Sequence, residues 1–265
     1  MLVKVVHNSM ILISIIFGIF GLIIGSFITS VVHRLSDLES LVKGRSQCPS
    51  CKRKLGLWDL IPLLSFIFLA GKCRYCKQKI SIQYPIIELL TAIIFVLIYK
   101  YFGISVYSIF LLIISIGLII IAFYDIQKML IPDEIVIFTA IIALIYFIYS
   151  TIVSNNFNIL LNQAIGAAIF GGIIALLYLI SSGKWMGFGD IKLTLVLGFI
   201  LGYPLTLVGF FMSFLIGGIY GLILIALGKK KMDSKVPFAP LLILGFFIAL
   251  FWGEQILNWY LKIGS

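Results

Sequence analysis

Two kinds of side chain in this sequence could carry chemistry: aspartates at the edges of long apolar runs, and four cysteines in two close pairs. Asp190 follows two glycines in Trp185-Met186-Gly187-Phe188-Gly189-Asp190-Ile191-Lys192-Leu193, and Asp125 closes an apolar run in Phe123-Tyr124-Asp125-Ile126-Gln127-Lys128. An ionisable group beside hydrocarbon is costly, which makes it a functional candidate by default. The glycines remove bulk beside Asp190 and permit backbone conformations that other residues resist. Asp125 ends a helical pattern, where an acid opposes the helix dipole. Two carboxyls at one depth can share a proton, one ionised and one protonated. Such a pair can activate water and protonate a leaving amine, the chemistry of an aspartyl protease.

The cysteines stand as Cys48-Pro49-Ser50-Cys51, then 21 intervening residues, then Cys73-Arg74-Tyr75-Cys76. This spacing predicts a tetrahedral zinc site with Cys48, Cys51, Cys73 and Cys76 as ligands. Four protein ligands leave no open position, so the metal is expected to be structural and to close the loop around residues 57–70. The remaining acids are fewer in role. Asp37, Glu39 and Asp59 read as solvated among basic residues, Asp233 as part of a basic turn, and Asp133 as a helix cap after Ile131-Pro132. Glu88 admits two readings, a first-turn helix acid or a contact to substrate or cofactor. Lys128 and Lys192, close to the two aspartates, read as snorkelling side chains. His33 reads as an interfacial residue at the inner end of the first span. No Ser/His/Asp set, H-E-x-x-H or phosphate loop occurs, which argues against serine protease, metalloprotease and ATPase.

The elements that must position these residues are membrane helices. The chain has 265 residues, 62% hydrophobic and 11% charged, against about 25% charged in soluble domains. It reads as an all-α polytopic membrane protein embedded in the lipid bilayer. Apolar segments fall at residues 10–32, 85–101, 104–124, 134–153, 159–181, 191–203, 205–228 and 236–260, about eight helices in all. The sixth, at 13 residues, covers only about 20 Å and is too short to cross alone. Asp190 is therefore expected at a water-accessible recess. The run from Met10 to Val32 reads as an uncleaved anchor rather than a signal peptide. Placing the N-terminus outside puts 17 of the 20 Lys and Arg in the connections 33–84, 125–133, 182–192 and 229–235, the cytoplasmic side. Both aspartates then face the cytoplasm. The net charge of +10 is thereby explained as topology, and nucleic acid is not expected as a partner. The stretch 57–70 is too short to span and reads as lying in the interface or against the bundle. No internal repeat stands out.

These blocks, in this order, resemble the bacterial type IV prepilin peptidases, the GxGD class of intramembrane aspartyl proteases. The resemblance covers nearly the whole chain: Gly25-Ser26-Phe27 through His33-Arg34-Leu35, Gly44-Arg45-Ser46-Gln47-Cys48-Pro49-Ser50-Cys51, Leu60-Ile61-Pro62, Gly71-Lys72-Cys73-Arg74-Tyr75-Cys76, Ile80-Ser81-Ile82-Gln83-Tyr84-Pro85 with Glu88, Asp125 with Ile131-Pro132-Asp133, and Gly187-Phe188-Gly189-Asp190-Ile191-Lys192. It departs at Thr29 and Ser36, where the family often has Asn and Pro. The resemblance implies a two-step enzyme of the bacterial cytoplasmic membrane. It would cut the charged leader from prepilins and pseudopilins after a glycine, then methylate the new N-terminal residue with S-adenosylmethionine. The implied layout is a first helix at 1–32, a methyltransferase-associated four-cysteine loop at 33–84 and a peptidase domain at 85–265. Two alternatives remain: a GxGD protease without methyl transfer, and an ion- or proton-coupled transporter. The second would place its acids at the midplane and show inverted repeats, neither of which is visible.

Overall fold

In the computed structural model the described residues are 2–35, 47–48, 50–228 and 236–263. Ser36, Asp37, Glu39, Gly44-Arg45-Ser46, Pro49, the basic turn 229–234 and the His7 and His33 side chains lie outside the described residues. The described chain is helical: α1 (Leu2–Arg34), α2 (Leu64–Phe68), α3 (Gln83–Phe102), α4 (Val106–Lys128), α5 (Asp133–Ser154), α6 (Asn158–Ser181), α7 (Phe188–Leu201), α8 (Leu205–Ala226) and α9 (Ala239–Ile263). Among the described residues, seven helices are long and apolar enough to cross a membrane. The exceptions are α2 and α7. At 14 residues, α7 extends about 21 Å and falls short of the hydrocarbon thickness.

The chain divides into two compact units, residues 1–120 and 121–265. In the first, α1 packs along α3. Gly21 and Gly25, spaced G-x-x-x-G, make this approach possible: a Cβ on Gly21 would come within 2.6 Å of the Ala92 Cα, and one on Gly25 within 2.6 Å of the Glu88 Cα. Without a hydrophobic driving force between helices in lipid, close backbone contact at small residues supplies the association. Gly25→Val is therefore expected to destabilise the α1–α3 pair by about 1–3 kcal/mol. Thermal unfolding in detergent checks this, and an unchanged midpoint would refute the packing argument.

The loop between α1 and α3 contains a 3₁₀ turn at Leu57–Leu60 and the five-residue α2. Neither can span, and Trp58, Ile67 and Phe68 remain largely exposed, the pattern of a segment lying against an apolar surrounding. In the second unit α7 is buried almost all round, with Leu193, Thr194, Val196, Leu197, Ile200 and Leu201 all in the core, as expected of a helix apolar on every face. Its tightest neighbour is α6. There Gly166 and Gly198 face each other so closely that a Cβ on either would strike the other's backbone. This glycine seam is what lets a short helix be enclosed.

Candidate functional site

The helix bearing Asp190 begins at Phe188, three residues earlier than the hydropathy pattern placed it, so Asp190 lies in the first turn instead of before the helix. Gly187 is the N-cap, and its N–H donates to Asp190 Oδ2 at 2.9 Å. The carboxylate thus satisfies one of the orphan donors of the helix start and sits at the positive end of the dipole. Gly187 has φ −81° and ψ 153°, a conformation open to any residue. The sequence reading of conformational freedom is corrected here, since the glycines serve close approach. A Cβ on Gly189 would lie 3.0 Å from Ile131 Cβ, in the connection between α4 and α5. That contact packs the segment following Asp125 against the start of α7.

Asp125 lies one turn before the end of α4, and its Oδ2 accepts the Ala239 N–H at 3.1 Å. Ala239 is the first residue of α9, so Asp125, like Asp190, neutralises a helix N-terminus. This answers why an acid is tolerated at the wrong end of its own helix. Asp125 is 5% exposed and Asp190 8%. Each lies within one turn of a helix end, Asp125 three residues before the last residue of α4 and Asp190 as the third residue of α7. Asp133 opens α5 with Pro132 as the N-cap, and its side chain does not cap. It pairs with Lys192 Nζ at 2.6 Å, which corrects the cap expectation and gives the lysine head its partner. Lys192 also stands 5.1 Å above the Phe188 ring, so the rim around the two carboxyls is tied across α5 and α7.

In the first unit the four cysteine sulfurs lie within 4.8 Å of one another, with Cys48 and Cys76 Sγ 3.8 Å apart. Thiolates around a tetrahedral zinc with bonds of about 2.3 Å stand about 3.8 Å apart, whereas a disulfide needs about 2.05 Å. The donor set fits zinc. The Cys51 N–H directed at Cys48, with the Ser50 N–H behind it, holds the Cys48 thiol down to about 6, favouring the thiolate that a metal requires at that ligand, whereas, against the Gln78 N–H, desolvation and the neighbouring sulfurs push the Cys76 thiol up to about 11. The two halves also repeat, which the sequence reading overlooked. Lys52 N–H returns to Cys48 O and Lys77 N–H to Cys73 O, Lys52 and Lys77 have φ 56° and 58°, and the bridges Gln47–Lys54 and Lys72–Lys79 close the two knuckles. The signal was present as C-x-x-C-K-x-K followed by Leu55 or Ile80. Asp59, expected to be solvated, has a side chain only 6% exposed and pairs with Arg74 at 2.6 Å. It pins the 3₁₀ turn to the second knuckle.

Glu88 is 7% exposed and falls in the second turn of α3, which begins at Gln83, so the first-turn reading does not hold. Its Oε2 accepts the Leu63 N–H at 2.8 Å, and the Ser26 side chain of α1 stands beside it. Sequence reasoning missed these neighbours because Leu63 is 25 positions away and Ser26 is on another helix.

Comparison with known proteins places these features in a family. Residues 19–102 match the bacterial peptidase A24 N-terminal domain, and residues 112–222 match the type IV leader peptidase family. A protein of Bacillus subtilis named prepilin leader peptidase/N-methyltransferase is 38% identical over 95% of this chain and 99% of its own length. Proteins of the same name from Legionella pneumophila and Pseudomonas aeruginosa are 31% and 30% identical, each over 92% of this chain and 93% and 92% of their own lengths. No solved structure matches. The order of the blocks, the clustered cysteines and the extent of identity agree: the chain belongs to the type IV leader peptidase family, among the bacterial prepilin leader peptidase/N-methyltransferases.

Proposed function

We propose that this protein cleaves the leader peptide from type IV prepilins and pseudopilins at the cytoplasmic face of the bacterial cell membrane, and then N-methylates the new N-terminal residue. The observation that carries the proteolytic step is the pair Asp125 and Asp190, both buried within one turn of a helix end and both held by a helix-terminal N–H. In the cleavage, the ionised member takes a proton from water as the water oxygen attacks the scissile carbonyl. The protonated member donates to the carbonyl oxygen, and collapse of the tetrahedral intermediate breaks the C–N bond as a proton passes to the leaving amine. Main-chain N–H bonds fix the orientation of both carboxyls, so geometry need not be assembled during reaction.

In this reading residues 1–32 form the first anchor helix, 33–84 the methyltransferase-associated loop and 85–265 the peptidase domain. The basic inner connections favour an N-terminus outside and both aspartates inside. Zinc on Cys48, Cys51, Cys73 and Cys76 would hold the loop together. Methyl transfer is supported by the names of the relatives, and S-adenosylmethionine would be its donor. Glu88, a buried carboxyl beside the loop, holds the Leu63 N–H through Oε2, and a contact from it to that donor would use its other oxygen.

The test is purified protein in detergent or vesicles with a prepilin carrying its leader, read by mass spectrometry. The expected products are the leader and a mature chain one methyl group heavier when S-adenosylmethionine is present. An uncut prepilin would refute the proposal, and a cut but unmethylated chain would reduce it to a peptidase.

A further inference from the structure

Pro62, Leu63 and Leu64 form a γ-turn: Leu64 N–H donates to Pro62 O at 2.6 Å, and Leu63 has φ 58° and ψ −49°. With a positive φ at a leucine, this turn is the rare, strained form. Strain of this kind persists only where its surroundings over-determine it. Here the restraint is visible. The peptide N–H of Leu63, left over by the turn, is capped by Glu88 Oε2 at 2.8 Å, and Glu88 is itself fixed against α1, where Gly25 brings that helix onto the Glu88 backbone. The turn leads directly into α2, and from there Gly71 N–H returns to Phe66 O and Ile80 N–H to Gly71 O, tying α2 to the second cysteine knuckle.

We propose that Glu88 is a positioning residue: a buried latch that holds the Leu63 γ-turn and thereby seats the four-cysteine module on the α1–α3 pair for the methyl-transfer step. The inference rests on the proposed methyltransferase activity for its functional readout, but not for its structural one. A latch needs a hydrogen-bond acceptor at Oε2, not a charge. Gln supplies an acceptor and Ala does not. A carboxylate that binds a cationic ligand needs the charge.

Glu88→Ala is expected to lower methylation of cleaved pilin by roughly ten- to a hundredfold, the cost of leaving the buried Leu63 N–H without a partner, with leader cleavage changed by less than about threefold and zinc retained. Hydrogen–deuterium exchange over peptides containing Leu63 should lose its protection. Glu88→Gln should restore both methylation and protection to near the wild type. The pair Glu88→Ala with Leu63→Gly should recover part of the loss, because glycine occupies φ 58° without strain. This rescue keeps the test open should Glu88→Ala fold poorly. Two outcomes overturn the latch: unaltered exchange at Leu63 in Glu88→Ala, or Glu88→Gln as impaired in methylation as Glu88→Ala while Leu63 stays protected. If the wild type proves unable to methylate, the activity reading fails by itself, and Leu63 exchange still decides the latch.

Discussion

Asp125→Asn and Asp190→Asn are each expected to lower prepilin cleavage by about a thousandfold or more, in line with loss of a general acid or base. Asparagine keeps a carbonyl oxygen able to accept the Gly187 N–H, or the Ala239 N–H, in the same place. The helix starts therefore remain satisfied, and both variants should fold and unfold near the wild-type temperature. What is lost is the ability to share and move a proton. The double variant should be scarcely worse than either single one, because residues that act as a unit are strongly non-additive. Initial rates on a fixed prepilin substrate provide the measurement. Near-normal cleavage by either variant would remove that residue from the dyad.

The second large effect concerns the metal. The purified protein should hold one zinc per chain by elemental analysis, and Cys48→Ser or prolonged chelation should release it. Structural zinc in small folds supplies about 10–16 kcal/mol of apparent binding energy, comparable with or larger than the whole stability of a typical domain. The module has little else. Among the described residues of 47–80 helical structure is limited to a 3₁₀ turn and the five-residue α2, which buries none of its side chains, and Trp58 and Phe68 stay exposed. Loss of zinc should therefore open residues 47–80 to proteolysis and stop methylation, while cleavage by the peptidase domain, residues 85–265, persists. A zinc-free wild-type protein with a protected loop would contradict this account. Equal loss of cleavage and methylation would contradict the division of labour between loop and peptidase.

These expectations depend on different amounts of structure. The membrane class, the helices and their approximate ends were legible in hydropathy alone, because a bilayer forces every backbone polar group to be satisfied inside a helix. The zinc ligands were legible for a similar reason. Two C-x-x-C pairs allow few arrangements, and the sulfurs do converge within 4.8 Å. The two acids could be singled out because charge beside hydrocarbon is expensive whatever the fold.

What the sequence by itself determined, then, was which groups are chemically unusual and in what solvent they sit, since both depend on composition along a local stretch. Only tertiary structure decided how each is tolerated. Asp125 is acceptable at the end of α4 because the first N–H of α9, 114 positions on, is aimed at it. Gly189 is needed because Ile131 comes within van der Waals reach, not because the backbone is twisted there. Asp133, in the first turn of α5, reaches across to Lys192, 59 positions away, and Glu88 is engaged by a strained turn in the loop. Each of these partners is distant in the chain, and side-chain periodicity carries no information about such pairs. The energetic problem of a buried acid is written in one dimension, whereas its solution requires packed helices.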